Sequence, residues 1–147
     1  MNVFVFGLGY SARAAVAALR AAEPGTHFAG TTRLPENFQA FESLGVTPHV
    51  FTGEVPSETL GGDLEAATHL IASIAPAPEG DPVLSNHRGD ILAAPKLEWL
   101  CYFSTIGVYG DAGGAWIDEH YLGDTLSERA RWRLMAEVGW QRLARQM

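Results

Sequence analysis

Short apolar runs alternate along the chain with segments in which apolar residues recur every three or four positions. Five runs rich in β-branched and aromatic residues predict strands, at residues 3–6, 27–32, 49–52, 68–74 and 99–104. The fifth run is almost unbroken in its hydrophobic character, which is typical of a parallel strand covered on both faces. The pattern therefore favours a parallel sheet.

Helical spacing fills the intervals between these strands. The first helix begins after a glycine-containing turn, the second is expected from Pro35 and the third spans about 83–93. Thr125-Leu126-Ser127-Glu128 has the form of a capping box, which predicts a last helix running towards Arg145. The segment between the third and fourth strands is interpreted as a connection. Alternating strands and helices imply right-handed crossovers, hence an open, doubly wound α/β sheet with helices on both faces.

Length, charge and composition narrow the class of protein. The 147 residues amount to about one domain, so we assign residues 1–147 to a single domain. A net charge of −7 argues against a nucleic-acid partner, because phosphate binding requires clustered cations. No apolar run approaches the ~20 residues that span a bilayer, and no signal sequence is evident, so we expect a cytoplasmic protein without a membrane partner. The single cysteine excludes an internal disulfide, and no histidine or cysteine spacing indicates a metal site.

The turn after the first strand carries the most informative motif. Gly7-Leu8-Gly9-Tyr10-Ser11-Ala12 matches Gly-x-Gly-x-x-Gly/Ala, follows a strand and opens a helix. Gly7 permits a tight turn, Gly9 lets a pyrophosphate approach, and Ala12 lets the helix pack closely on the strand. The phosphate would meet the N–H groups at the helix start, at Tyr10 and Ser11. The motif predicts a Rossmann-type dinucleotide site, and a glycine turn without a ligand is the alternative.

The end of the second strand indicates which dinucleotide is bound. An acidic residue there would accept the ribose 2′-hydroxyl of NAD, whereas an arginine attracts the 2′-phosphate of NADP. Thr32 and Arg33 end this strand, and no carboxylate occurs before Glu36. We therefore expect NADP rather than NAD, with Thr32 and Arg33 on the phosphate; the alternative is that Arg33 is a solvated loop cation. Ser73, at the carboxyl end of the fourth strand, is expected to join this site.

A third segment, Ser104-Thr105-Ile106-Gly107-Val108-Tyr109-Gly110, completes the pattern. Together with Gly-x-Gly-x-x-Ala and Thr-Thr-Arg, it resembles the extended short-chain dehydrogenase/reductase family, the NAD-dependent epimerase/dehydratase-like proteins. The resemblance covers essentially the whole chain. It implies an oxidoreductase or epimerase acting on a small-molecule substrate that the sequence does not identify, with Thr105 hydrogen-bonded to the reacting oxygen.

The family's catalytic pair, spaced Tyr-x-x-x-Lys, is missing. Alignment of residues 134–137 with the family's similar stretch places Arg129 at the tyrosine and Arg133 at the lysine. Arg133 can supply charge beside the cofactor, but a guanidinium stays protonated and cannot replace the phenol. Arg129, Arg133 and Glu137 share one helix face, which favours either solvated Arg–Glu pairs or a cationic wall beside the cofactor or an acidic substrate. Catalytic competence is therefore left open.

Two further expectations concern aromatic residues near this segment. Tyr102 and Tyr109 are the alternatives for a relocated catalytic phenol, although Tyr102 should point to the opposite face of the strand from Phe103. Trp116 follows the glycine-rich loop at 110–114, and we expect it to anchor that loop by burial while Asp118 and Glu119 stay exposed.

The resemblance also implies a missing part. Complete members of the family continue with further strands and a small C-terminal substrate domain, so the chain is interpreted as an atypical member without it. It is either a truncated form or a short domain that completes itself by association, and the second explanation predicts a homodimer through the last helix or fifth strand. Three functions compete: a catalytic NADP-binding domain, a non-catalytic cofactor sensor, and an interaction module with an empty turn.

Overall fold

A computed structural model describes residues 1–121, 123 and 126–147. The strands are β1 (Asn2–Phe6), β2 (His27–Thr32), β3 (Val46–Val50), β4 (His69–Ala72) and β5 (Trp99–Tyr102). The helices are α1 (Tyr10–Ala22), α2 (Phe38–Ser43), α3 (Gly61–Ala66), α4 (Pro82–Ala93) and α5 (Glu128–Ala144). Single 3₁₀ turns at Pro35–Asn37 and Ile106–Tyr109 precede α2 and follow β5.

The five strands form one parallel sheet in the order β3-β2-β1-β4-β5, which confirms the predicted Rossmann-type α/β fold. β1 lies at the centre, with Val3 opposite Phe28 of β2 and Phe4 opposite Leu70 of β4. The chain winds outward from β1 to β3 on one side and continues through β4 and β5 on the other. The strand order therefore switches between β1 and β4, and a crevice opens there beyond the carboxyl ends of the strands.

The alternation of side chains along β1 builds a core on each face of the sheet. Phe4 and Phe6 pack in a cluster with residues of α3, α4 and α5, whereas Val3 and Val5 pack with residues of α1 and α2. All four side chains are at most 2% exposed. Because both faces of the sheet are covered, the sequence of β1 is a continuous apolar run and does not alternate between apolar and polar residues.

Several element boundaries differ from the expectation. The third strand begins three residues earlier, at Val46, because Pro48 is tolerated on a strand at the sheet edge. The fourth and fifth strands are shorter than predicted and end at Ala72 and Tyr102. The connection after β3 contains α3, whose Leu64 is buried.

The last helix begins differently from the predicted capping box. Ser127 caps it, and its hydroxyl accepts a hydrogen bond from the Ala130 N–H at 3.2 Å. Thr125, the predicted cap, lies outside the described residues. The helix ends at Ala144, close to the expected Arg145.

One buried carboxylate joins α4 to α5. Asp81 caps α4 by accepting hydrogen bonds from the N–H groups of Val83 and Leu84. Its second oxygen accepts a hydrogen bond from Trp140 Nε1 of α5 at 2.9 Å. Both side chains are buried, and the hydrogen bonds satisfy both oxygens of Asp81 and the indole N–H of Trp140, as burial of polar groups requires. Within the described ranges no helix combines the length and apolarity that crossing a membrane requires.

Candidate functional site

The turn that follows β1 can be made only with glycine at its first position. Gly7 has a φ of +83°, and an added Cβ would lie 2.7 Å from Ile74 Cγ1 and 3.3 Å from the Ile74 backbone nitrogen. The Gly7 N–H donates to Thr31 Oγ1 at 2.8 Å, which fixes the turn against β2. This first glycine therefore has the role in the tight turn that the motif predicts.

The fold itself does not require glycine at position 9. The φ of −80° there suits any residue, and nothing lies within 4 Å of the position of an added Cβ. Gly9 is the N-cap of α1, and no side chain caps this helix end. The first-turn N–H groups at Tyr10 and Ser11 thus have no side-chain cap at the positive end of a 13-residue helix, where an anion is favoured.

The side chains of the helix start divide between core and solvent. Ala12 is completely buried and packs in the cluster that contains Val3 and Val5, which confirms its predicted packing role. Tyr10 is 94% exposed, and Ser11 is exposed as well. Their backbone N–H groups are therefore what these two residues offer to a phosphate.

A cleft of about 420 Å³ opens at the carboxyl ends of β1, β2 and β4. Three of the predicted segments meet in it: the glycine turn, the end of β2 with Thr32 and Arg33, and the end of β4 with Ser73. Phe41 and Phe51 add apolar walls. The volume lies in the range of small-molecule and cofactor sites, and its place is the crevice at the switch in strand order.

Thr32 contributes to the cleft through the turn that it organises. Its hydroxyl accepts a hydrogen bond from Asn37 Nδ2 at 3.0 Å and also interacts with the backbone of Leu34. The hydroxyl thus orders the segment that carries Arg33. The Arg33 side chain is exposed, and no carboxylate is among the described residues that line the cleft.

The sequence interpretation did not single out Arg13, which also lines the cleft. Its Nε donates to the Leu8 carbonyl at 3.2 Å, and its guanidinium carbon lies 5.9 Å from the centre of the Phe41 ring. Its position could have indicated this role, because Arg13 lies one turn after Gly9 in the helix that begins at the glycine motif. Among the described residues, Arg13 therefore joins Arg33 as a second cation that lines the cleft.

Thr105 and Ser104 lie on the loop after β5 and are not in the cleft lining. The Thr105 hydroxyl accepts a hydrogen bond from the Gly107 N–H at 3.3 Å and caps a 3₁₀ turn, while its side chain is exposed. Ser104 donates to Glu137 of α5. The expected hydroxyls are thus at the carboxyl end of β5, and one of them is occupied by a helix contact.

Arg133 reaches the same strand end from α5. Its Nη1 donates to Tyr102 Oη at 3.0 Å and to the Phe103 carbonyl at 2.9 Å, and its guanidinium carbon lies 5.5 Å from the Tyr102 ring centre. Burial raises the pKa of Tyr102 to about 12, although the neighbouring Arg133 acts in the opposite direction. Tyr102 packs towards Trp140 and Phe103 towards the other core, as the alternation along the strand predicts.

The row formed by Arg129, Arg133 and Glu137 is not an ion-pair row. Among the described residues no salt bridge joins an arginine of α5 to Glu137, because Arg133 and Glu137 are turned to β5 and the loop after it. Arg133 does not line the cleft either. Contacts that hold α5 against β5 thus take the place of the predicted Arg–Glu pairs.

The loop after the 3₁₀ turn contains one clear error of the sequence interpretation. Trp116 is fully exposed, so it is not the buried anchor that we expected. Asp118, Glu119 and His120 are exposed, and their ligand atoms lie within 4.8 Å of one another. Exposed acidic groups commonly come this close without a metal, so we assign no site to them.

Comparisons with known proteins agree with this fold. No protein-family model and no curated protein matches the chain. A solved structure of a conserved protein of unknown function from Silicibacter pomeroyi is 40% identical, with a TM-score of 0.80 over 96% of this chain and 48% of that one. UDP-glucuronic acid 4-epimerase from Bacillus cereus, solved in complex with UDP-glucuronic acid and NAD, is 19% identical. Its TM-score is 0.71 over 99% of this chain and 52% of that one.

A putative epimerase from Burkholderia cenocepacia gives a similar result, with 19% identity, a TM-score of 0.68 and coverage of 99% of this chain and 51% of that one. The chain thus spans about half the length of these solved structures. At such identities the two epimerases establish the Rossmann-type fold, and the more similar protein carries no known function.

Proposed function

We propose that the chain is a nicotinamide-dinucleotide-binding domain of the extended short-chain dehydrogenase/reductase type, and that it binds NADP in preference to NAD. The observation that carries the proposal is the cleft itself. A glycine turn that excludes any Cβ at Gly7, an uncapped helix start and the end of β2 all border one space at the switch in strand order. This arrangement fits a pyrophosphate held by backbone N–H groups.

The charge of the cleft supports NADP. Arg13 and Arg33 both line it, and the described lining residues include no aspartate or glutamate. A carboxylate at the end of β2 would bind the ribose 2′-hydroxyl of NAD and repel a 2′-phosphate, whereas a guanidinium binds phosphate through charge-assisted hydrogen bonds. When bound, such a cofactor supplies hydride transfer at its nicotinamide ring.

Calorimetric titration with NADPH and NADH tests this proposal. We expect both to bind, NADPH at least about tenfold more tightly, and we expect Arg33→Met to remove most of the difference. Arg145→Met is the control, because it removes the same charge from an exposed residue at the end of α5 that does not line the cleft. Failure of both nucleotides to bind would remove the cofactor function, and tighter binding of NADH would overturn the role of Arg33.

A second function, a non-catalytic cofactor sensor, is favoured by the contacts of Arg133. Arg133, at the family's lysine position, is bonded to Tyr102 and to the Phe103 carbonyl just after β5, and Arg129 occupies the position of the tyrosine. Neither guanidinium can donate and recover a proton near neutral pH. Binding of NADPH without hydride transfer to any of a panel of nucleotide sugars and small carbonyl compounds would support the sensor over the oxidoreductase or epimerase.

We also propose that the chain associates with a second copy through β5 or α5. β5 is an edge strand in the described sheet, and Met135 and Val138 of α5 are exposed apolar residues. An unpaired strand edge and an apolar helix face are both surfaces that association can cover. A soluble monomer in light scattering at high protein concentration would contradict this proposal.

A further inference from the structure

Two arginines of α1 point towards the β2–α2 side of the molecule but differ in what they can still bind. Arg20 is committed to the fold: its Nη2 donates to the Gly45 carbonyl at 3.1 Å, and its guanidinium carbon lies 4.8 Å from the Phe28 ring centre. Arg13 uses only Nε, on the Leu8 carbonyl. Within the part of the chain that the structure describes, its two Nη groups have no hydrogen-bond acceptor.

The exposed Arg13 side chain is oriented by two contacts of its guanidinium group. The bond from Nε to Leu8 ties it to the glycine turn, and the Phe41 ring of α2 lies beside it. Residues 34–37 connect Arg33 to α2, and Arg13, Arg33 and Phe41 all line the same cleft. In a Rossmann site the end of β2 is where the adenosine ribose is recognised, at its 2′-position.

We infer that Arg13 is a second specificity-determining residue, which binds the adenosine 2′-phosphate of NADP together with Arg33. The inference rests on the proposed cofactor function. Two cations that share a cleft without a carboxylate repel each other until an anion joins them, and a ribose phosphate with close to two negative charges matches this pair. The bond to Leu8 holds the guanidinium in place beforehand, so less side-chain entropy is lost on binding.

Adenosine 2′,5′-bisphosphate and AMP are the probes that isolate this contact, since they differ in the 2′-phosphate and lack the pyrophosphate and nicotinamide. We expect Arg13→Met to weaken adenosine 2′,5′-bisphosphate and NADPH by about 10- to 100-fold, and AMP and NADH by less than about threefold. Arg13→Lys, which keeps the charge, should recover part of the preference. Arg145→Met should leave all four affinities unchanged.

The outcomes separate this inference from the cofactor function. If the unmodified chain binds NADPH but Arg13→Met does not change its affinity, Arg13 has no part in recognition and the inference fails alone. Equal weakening of NADPH and NADH would place Arg13 on a group that both share, which also overturns it. If the unmodified chain binds none of the four nucleotides, the proposed function fails and this inference with it.

Discussion

Replacing each of the two glycines of the turn after β1 by alanine should affect different properties: the stability of the fold at Gly7 and nucleotide binding at Gly9. In Gly7→Ala the new Cβ would meet Ile74 Cγ1 at 2.7 Å, in a backbone conformation with φ of +83°. In Gly9→Ala the φ is −80° and nothing lies within 4 Å of the new atom. Gly7 thus serves the fold, whereas the space beside Gly9 serves a ligand if the cleft binds one.

The expected size of each effect follows from these contacts. A left-handed conformation costs a non-glycine residue about 1–2 kcal/mol, and forcing a methyl group into a packed site costs about 1–3 kcal/mol. Gly7→Ala should therefore lower the free energy of unfolding by about 2–5 kcal/mol, a large part of the total of about 5–15 kcal/mol. For Gly9→Ala, a stiffer unfolded chain and a poorer N-cap nearly cancel, so the change should stay within about 1 kcal/mol.

Urea unfolding and nucleotide titration of both variants test this reasoning. Gly9→Ala should unfold like the unmodified chain but bind NADPH at least about tenfold more weakly, because its methyl group occupies the approach of the pyrophosphate. Unchanged NADPH binding by Gly9→Ala would show that the phosphate does not lie on this turn. A Gly7→Ala variant as stable as the unmodified chain would refute the argument from backbone conformation.

Three further predictions concern α4, β5 and the assembly. Asp81→Ala should destabilise the chain by about 2–4 kcal/mol in urea unfolding, because it removes the α4 cap and leaves Trp140 Nε1 buried without an acceptor. Of the four tyrosines, Tyr102 should ionise near pH 12 in a phenolate absorbance titration, and Tyr102→Phe should abolish that step. Since the pKa of Tyr102 is raised above its unfolded value of 10, its contribution to stability should be complete below about pH 10 and lost towards pH 12. Light scattering at increasing concentration should show a dimer.

The central strands and the glycine turn were predictable because local pattern and tertiary environment agree there. β1 is buried on both faces, so its apolar run carries the signal directly. β3 is a sheet-edge strand with an exposed Thr47 and a proline, so its apolar pattern is interrupted. Apolar residues continue beyond its end, such as Phe51, and the strand was therefore predicted too late in the chain. α3 has only six residues and no side-chain cap, and it is held mainly by the burial of Leu64.

Other parts of the site depend on contacts that no local pattern encodes. Arg13 is an exposed residue of α1, and its contacts with the Leu8 carbonyl and the Phe41 ring distinguish it from a solvated cation. Trp116 is a large aromatic residue of the kind that usually packs a loop against the core, yet its side chain is fully exposed. The pairing of Glu137 with Ser104 rather than with an arginine likewise depends on how α5 crosses β5.

The contacts of Tyr102 do not favour ionisation of its phenol near neutral pH. A catalytic phenol needs a pKa lowered towards neutrality, and a lysine one turn away lowers it. Here the phenol bonded to Arg133 is Tyr102, whose pKa burial raises to about 12, in the opposite direction. Tyr102 is half-buried and stacks on Trp140, with ring centres 5.8 Å apart. Arg133 therefore contributes to the packing of α5 against the end of β5, and the two arginines of the cleft are where the proposed cofactor function can be tested.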